Sequence, residues 1–144
     1  QELIAEDDGY VERAVQLRTR GRFQIEDDIK QVHVEGVQKG KIDWKAVLLL
    51  TEGLCRLWPT QGAEVSRAAA VAEVLGPEKG LEALDAVPAS DVMFQPAEAT
   101  RAHILARMGQ KEKARESYDR AISLTMELAV RNWLIKKRGE VSGV

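Results

Sequence analysis

Two kinds of side chain invite a metal or acid–base interpretation. The histidines His33 and His103 are the two imidazoles of the chain. Neither has a second histidine or a cysteine three or four residues away, the spacing that a helical metal site needs. Asp27 and Asp28 are adjacent, and adjacent positions on a helix point in different directions, so they do not make a paired carboxylate site. We interpret the histidines as structural and the aspartates as acids near a helix start.

The single cysteine, Cys55, is the one thiol nucleophile available. Its neighbours Leu54, Leu57 and Trp58 indicate a packed thiol rather than one activated by a base. The three tryptophans are spread along the chain and favour core packing over base stacking. The glycines mark turns and close contacts and form no phosphate loop. The sequence therefore predicts a protein that is not an enzyme, with no catalytic residue, no cofactor and no metal.

Composition limits the class of partner. The chain has 144 residues, of which 44% are apolar and 31% charged, which suits one folded domain. Its net charge of -2 provides no general attraction to phosphates, so we expect no direct binding of nucleic acid. One cysteine rules out an internal disulfide, and no apolar run approaches the ~20 residues that span a bilayer. With no visible signal peptide, the expected location is the cytoplasm, without membrane contact.

Apolar residues recur every three or four positions, and glycines and prolines separate the periodic segments. This pattern predicts an all-α fold. Helices are expected at about 3–19, 23–38, 42–57, 62–75, 77–87, 95–108, 111–125 and 127–138. In the last of these, Val130, Trp133 and Leu134 are expected to face inward, and Arg131, Lys136 and Arg138 to face water.

The periodic segments repeat at a spacing of 34 residues. This is the length of a tetratricopeptide repeat (TPR), a helical hairpin with small residues at the helix crossing. Three degenerate repeats are predicted, at about 27–60, 61–94 and 95–128, stacked between one preceding helix and one capping helix. The aligned positions are Ala46, Gly80 and Ala114; Leu50, Leu84 and Tyr118; Gly53, Val87 and Ala121; Val34, Ala68 and Ala102; and Val37, Val71 and Leu105.

In a TPR stack the first helix of each repeat lines a concave groove, and we expect this groove to bind a partner protein. A solvated polar face is the alternative interpretation of the same residues. The groove positions of the three copies are Gln31, Glu35 and Gln38; Val65, Ser66, Ala69 and Glu73; and Ala99, His103 and Arg107.

Several strings resemble the C-terminal extension of a group of extracytoplasmic-function (ECF) RNA polymerase sigma factors. The string 67–77 with Gly80-Leu81 contains the most specific part, residues 68–81, which joins a helix, a Gly-Pro junction and a second helix in fixed register. The others are Leu3-Ile4-Ala5-Glu6, Glu12-Arg13-Ala14, Ile42-Asp43-Trp44, 101–109 and 114–121. In that family the regions that bind polymerase and promoter lie upstream, and nothing in 1–144 looks like them. The resemblance implies a single TPR-like domain cut from a transcription initiation factor, and the first residue, Gln1 rather than Met, agrees with a fragment or a processed product.

Two functions follow as hypotheses. The first is a protein-interaction and regulatory domain of an ECF-type sigma factor, whose partners are the sigma domains of the same chain, RNA polymerase or a cognate regulator. The second is a stand-alone TPR adaptor that captures a peptide or a protein C-terminus in its groove.

Overall fold

The fold is all-α, as the sequence predicts. The computed structural model describes residues 21–88 and 94–142, and 84% of these residues are helical with no strand among them. The described helices are α1 (Arg22–Lys39), α2 (Trp44–Leu57), α3 (Gln61–Leu75), α4 (Pro77–Asp85), α5 (Gln95–Arg107), α6 (Lys111–Leu124) and α7 (Leu128–Ser142). The helix predicted at 3–19 lies outside the described residues.

Helices that follow one another in sequence pack as hairpins. The pairs are α1 with α2, α3 with α4, and α5 with α6, and α7 packs against α6. Each hairpin also packs on the next, through α2 with α3 and α4 with α5. In addition α3 contacts α5, so the first helices of the second and third hairpins are neighbours. This arrangement is a stack of helical hairpins.

The helix ends follow from local chemistry. The Asp43 carboxylate accepts a hydrogen bond from the amide of Ala46 and caps α2. The Thr60 hydroxyl does the same for α3 at the amide of Ala63. Between α3 and α4, Gly76 has a φ of 107°, which a residue with a side chain rarely adopts, and Pro77 begins the next helix. The tight α3–α4 turn therefore depends on this Gly-Pro pair.

Small residues occupy the hairpin crossings. Ala46 and Ala114 are fully buried, and so is Ala102. At the aligned position Gly80, a β-carbon would lie 2.7 Å from the Cα atom of Ala72, closer than real β-carbons approach. Helices α3 and α4 are thus in contact through their backbones at this point, and only glycine fits there.

Helix α1 departs from the predicted alignment. Val34 and Val37 are 49% and 76% exposed, although their counterparts in the second copy, Ala68 and Val71, are buried. The buried face of α1 instead carries Ile25, Val32 and Gly36. Gly36 lies against Ile42, where a β-carbon would come within 2.6 Å of the Ile42 Cα atom. The close contact with the α1–α2 turn fixes the rotation of α1 about its axis, and this contact overrides the repeat spacing.

The last helix is longer than predicted and faces its neighbours differently. Leu134 is fully buried and Val130 packs beside it, but Trp133 is 53% exposed, so its predicted inward position is wrong. Arg138 keeps a side chain that is 39% exposed, and its guanidinium also bonds both carboxylate oxygens of Asp119 on α6, at 2.5 and 3.3 Å. Arg138 follows Leu134 by four residues and therefore lies on the same side of the helix.

Arginine–carboxylate pairs join helices along the stack. We call them the arginine bridges: Arg67–Glu52 between α3 and α2, Arg101–Asp85 between α5 and α4, Arg107–Glu73 between α5 and α3, Arg120–Glu98 between α6 and α5, and Arg138–Asp119 between α7 and α6.

Candidate partner-binding site

Three of the predicted groove residues meet between α3 and α5. The Glu73 carboxylate lies 3.2 Å from Nη1 of Arg107 and 3.4 Å from Nε2 of His103. The same Nη1 atom lies 3.4 Å from the carbonyl oxygen of Ala72. Glu73 comes from the last turn of α3, and Arg107 and His103 come from α5, one helical turn apart. We call these three residues the Glu73 cluster.

The cluster is a polar surface whose members already partner one another. The Glu73 side chain is 23% exposed, while those of Arg107 and His103 are 37% and 55% exposed. Because the Arg107 guanidinium and the His103 imidazole are both within reach of one carboxylate, the cluster presents donors to a partner rather than a free acid. It also connects two helices, so a change in it affects both the surface and the packing beneath it.

The remaining predicted positions do not join the cluster. Gln31 and Glu35 are exposed on α1, where the Gln31 amide donates to the Glu35 carboxylate at 3.3 Å, and Gln38 is exposed further along the same helix. Among the residues that the structure describes, no hydrogen bond or ion pair connects these three with Glu73. Ala69 and Ala99 are half-buried. Val65 is 3% exposed and belongs to the core, so its predicted place on the groove surface is wrong.

Ser66 lines a separate apolar pocket near the first turns of α1, α3 and α5. Its volume is about 380 Å³, and its walls include Ile29, Ala63 and Phe94. Arg22 and Glu26 stand at its rim and form an ion pair with each other at 3.3 Å. We call it the Ser66 pocket.

A larger pocket adjoins the Glu73 cluster. It has a volume of about 520 Å³ and lies between the α1–α2 turn and the end of α3. Its apolar walls are Ile42, Trp44 and Val74, and Glu73 is part of its lining. The charged residues around it are Lys41, Asp43 and Lys45. We call it the Trp44 pocket.

The Trp44 ring is held in place by its neighbours. The His33 ring meets it edge to face, with ring centroids 5.5 Å apart. His33 itself is fixed because its Nδ1 donates to the carbonyl oxygen of Ile29 at 3.0 Å. Sequence reasoning placed Trp44 in the core and missed this pocket. The sequence signal that could have indicated this pocket is the run 41–45, in which apolar residues alternate with charged ones at a turn between helices.

Cys55 lies in a third open pocket, of about 390 Å³, between α2, α3 and α4. Burial raises the pKa of its thiol, and the carboxylates of Glu64 and Glu52 raise it further, while Arg67 lowers it. A raised pKa keeps the sulfur in its protonated form, which is a poor nucleophile. Burial likewise raises the pKa of Tyr118, with a further contribution from Glu140.

In residues 21–88 and 94–142, no group of three or more histidine, cysteine, aspartate or glutamate side chains is arranged to hold a metal ion. None of the helices in this part of the chain combines the length and the apolar character that crossing a bilayer requires.

The chain is similar to an uncharacterized protein of Rhizobium meliloti (strain 1021), with 29% identity over 122 residues. The match covers 85% of this chain but 29% of that protein, so the chain spans less than a third of the length of its relative. No family model matches the chain. No solved structure matches it either.

Proposed function

We propose that this chain is a protein-interaction and regulatory domain of a bacterial ECF-type RNA polymerase sigma factor. It acts in the cytoplasm and contacts the sigma domains of its own chain, RNA polymerase or a cognate regulator. It neither performs catalysis nor touches promoter DNA.

The observation that carries the proposal is the pairing of a hairpin stack with a polar cluster between two of its first helices. Glu73 on α3 and His103 and Arg107 on α5 form one exposed surface across neighbouring hairpins. Stacked hairpins recognise partners through such surfaces. The relative from Rhizobium meliloti supports the proposal in one respect, since more than two thirds of that protein lies outside the match and has room for other domains.

The alternative is a stand-alone adaptor that binds a peptide or a protein C-terminus. The Trp44 and Ser66 pockets favour it, because each is wide enough for a side chain of a bound peptide. The reading frame before Gln1 separates the two functions. Sigma regions encoded there support the first, and their absence supports the adaptor.

The decisive experiment uses the full-length protein and asks whether transcription depends on the Glu73 cluster. Glu73→Arg and Arg107→Glu each reverse one charge, and we expect each to lower transcription from a cognate promoter and co-purification of polymerase. Because the two residues pair with each other, the double variant Glu73→Arg/Arg107→Glu serves as the control: it rebuilds the ion pair in reverse. A loss of function that persists in the double variant reflects recognition rather than packing.

The competing contact is the basic run Lys136-Lys137-Arg138 on α7. Lys136 is exposed, and replacing it by glutamate leaves the Arg138–Asp119 pair intact. If Lys136→Glu abolishes transcription while the charge reversals of the Glu73 cluster behave as wild type, α7 is the contact surface and the cluster is not.

A further inference from the structure

Helix α1 has an exposed polar face that suits water. Its side chains hydrogen-bond to one another in pairs, Gln24 to Asp28 at 3.2 Å and Gln31 to Glu35 at 3.3 Å. Successive members of the set are three or four residues apart, so the four side chains follow one side of the helix. This side of α1 needs no further protein contact.

A second exposed face of α1 is apolar. Phe23, Val34 and Val37 are 78%, 49% and 76% exposed. Because each residue turns an α-helix by about 100°, these three side chains lie within about 60° of one another around the helix axis. We call Phe23, Val34 and Val37 the α1 stripe.

The α1 stripe lies at one end of the described stack. Helix α1 packs against α2 through its opposite side, where Ile25, Val32 and Gly36 are buried. Single exposed apolar side chains are ordinary on a protein surface, but several aligned along one helix mark a contact surface. The first helix of a stack also has no earlier hairpin to cover it unless the chain supplies one.

The chain has a segment of matching length next to the stripe. Residues 1–20 precede Gly21, which begins α1 as its N-cap with φ of −70° and ψ of 159°. The helix that the sequence predicts at 3–19 would be about 25 Å long, against about 21 Å from Phe23 to Val37. A connection as short as two residues places consecutive helices side by side and antiparallel.

The apolar residues of that segment recur at the same kind of spacing. Ile4, Val11 and Val15 are seven and four residues apart, which puts them within about 40° of one another on a helix. In an antiparallel pair, positions equally far from the turn lie opposite each other. Ile4 would then face Val37, and Val15 would lie within one helical turn of Phe23.

We propose that the α1 stripe is the docking face for residues 3–19 of the same chain, which pack on it through Ile4, Val11 and Val15. The stripe is then an internal contact of the domain and is closed to a partner protein. This inference does not depend on the proposed function, so a failure of one leaves the other in place.

Cysteine cross-linking in the 144-residue chain tests the contact. Cys55→Ala removes the native thiol, and Ile4→Cys is combined with Val37→Cys or, as the matched control, with Glu35→Cys on the polar face of α1. A short bis-maleimide should join the Val37 pair within one chain about tenfold faster than the Glu35 pair, because proximity raises the effective concentration of one thiol near the other. Equal rates overturn the proposal. Covalent dimers in place of the internal product also overturn it, because they assign the stripe to a second copy of the chain.

Limited proteolysis gives an independent measurement. Val37→Glu places a charge on the stripe, and Gln31→Glu places the same charge on the polar face. Val37→Glu should speed tryptic cleavage after Arg13 by about tenfold, because cleavage follows the population of the undocked segment. Gln31→Glu should leave the rate unchanged. A rate for Val37→Glu equal to that of the unaltered chain, or the same acceleration in Gln31→Glu, contradicts docking on the stripe.

Discussion

At the scale of single residues, the burial predicted from the repeat spacing agrees with the structure for residues that pack within their own hairpin. Ala46, Ala102 and Ala114 were identified by the spacing alone, and all three are fully buried. Trp133 and Val65 were placed wrongly because a hydropathy pattern gives the face of a helix but not how much of that face the next helix covers. The same limit applies to Trp44, whose ring is partly covered and partly the wall of a pocket.

The small residues at the crossings give the first prediction. Ala102→Leu and Ala114→Leu should each lower the free energy of unfolding by about 1–3 kcal/mol, because the added methylene groups force tightly packed helices apart. Urea denaturation measures the change. Ala129→Leu, at an exposed position of α7, is the control and should leave the midpoint nearly unchanged. Unaltered midpoints for both buried variants would show that these alanines are not at close contacts.

The thiol of Cys55 gives the second prediction, on pH dependence. Burial raises the pKa of Cys55 in the folded state, so the unfolded chain releases this proton at a lower pH than the folded one. The contribution to stability is thus present below the unfolded pKa and is lost as pH rises through the folded pKa. Alkylation by iodoacetamide should therefore be slower in the native chain than in urea, with its rate rising at higher pH. Equal rates in the two states at neutral pH would contradict the raised pKa.

At the scale of helices and hairpins, most boundaries could be predicted because each carries its own local signal. The Gly-Pro junction at Gly76 and the capping residue Asp43 are examples. The rotation of α1 could not be predicted, since it depends on the approach of Gly36 to Ile42 across a turn. The pairing of Glu73 with Arg107 could be predicted only in part. The repeat spacing places both residues on one surface, but it does not show that they are in contact.

The α3–α4 hairpin gives the third prediction. Gly80→Ala should destabilise the chain, because its β-carbon would meet the backbone of Ala72 and the helices must separate. Gly139→Ala is a matched control in α7, where nothing lies within 4 Å of the new β-carbon. There the substitution should stabilise by up to about 1 kcal/mol through helix propensity. Thermal melting of the two variants should therefore shift in opposite directions, and a shift in the same direction would be inconsistent with close contact at Gly80.

The Glu73–Arg107 pair gives the fourth prediction. A double-mutant cycle with Glu73→Ala and Arg107→Ala should give a coupling energy of about 0.2–1 kcal/mol, as expected for an ion pair that is partly exposed to water. The Lys79–Glu82 pair within α4, at 4.0 Å and more exposed, is the comparison and should give less. A coupling of several kcal/mol would mean that the cluster is mainly structural and would weaken its role as a recognition surface.

At the scale of the whole molecule, the sequence predicted an all-α stack of hairpins, and the structure shows it. The architecture could be predicted from the sequence because a repeat spacing carries information about packing between neighbouring hairpins. The partner could not be predicted, because recognition depends on which side chains from different hairpins come together. Only the structure brings Val74 of α3 beside Ile42 and Trp44 in one pocket.

The fifth prediction concerns nucleic acid. With a net charge of -2 and no recognition helix identifiable in its sequence, the chain should not bind promoter DNA with sequence selectivity. A mobility-shift assay at physiological ionic strength, with a cognate and a scrambled promoter, measures this. Tight binding of the cognate fragment alone would contradict the proposed division of labour between this domain and the sigma regions.

The arginine bridges have a consequence for the elasticity of the stack. Each bridge resists sliding of one helix past another, and the bridges connect each hairpin to the next from α2 to α7. Within the described residues no such bridge joins α1 to α2, which meet through Ile42 and Gly36 instead. An apolar contact of this kind is less directional than an ion pair. Under a pulling force we therefore expect α1 to separate from the stack before the helices that the bridges connect.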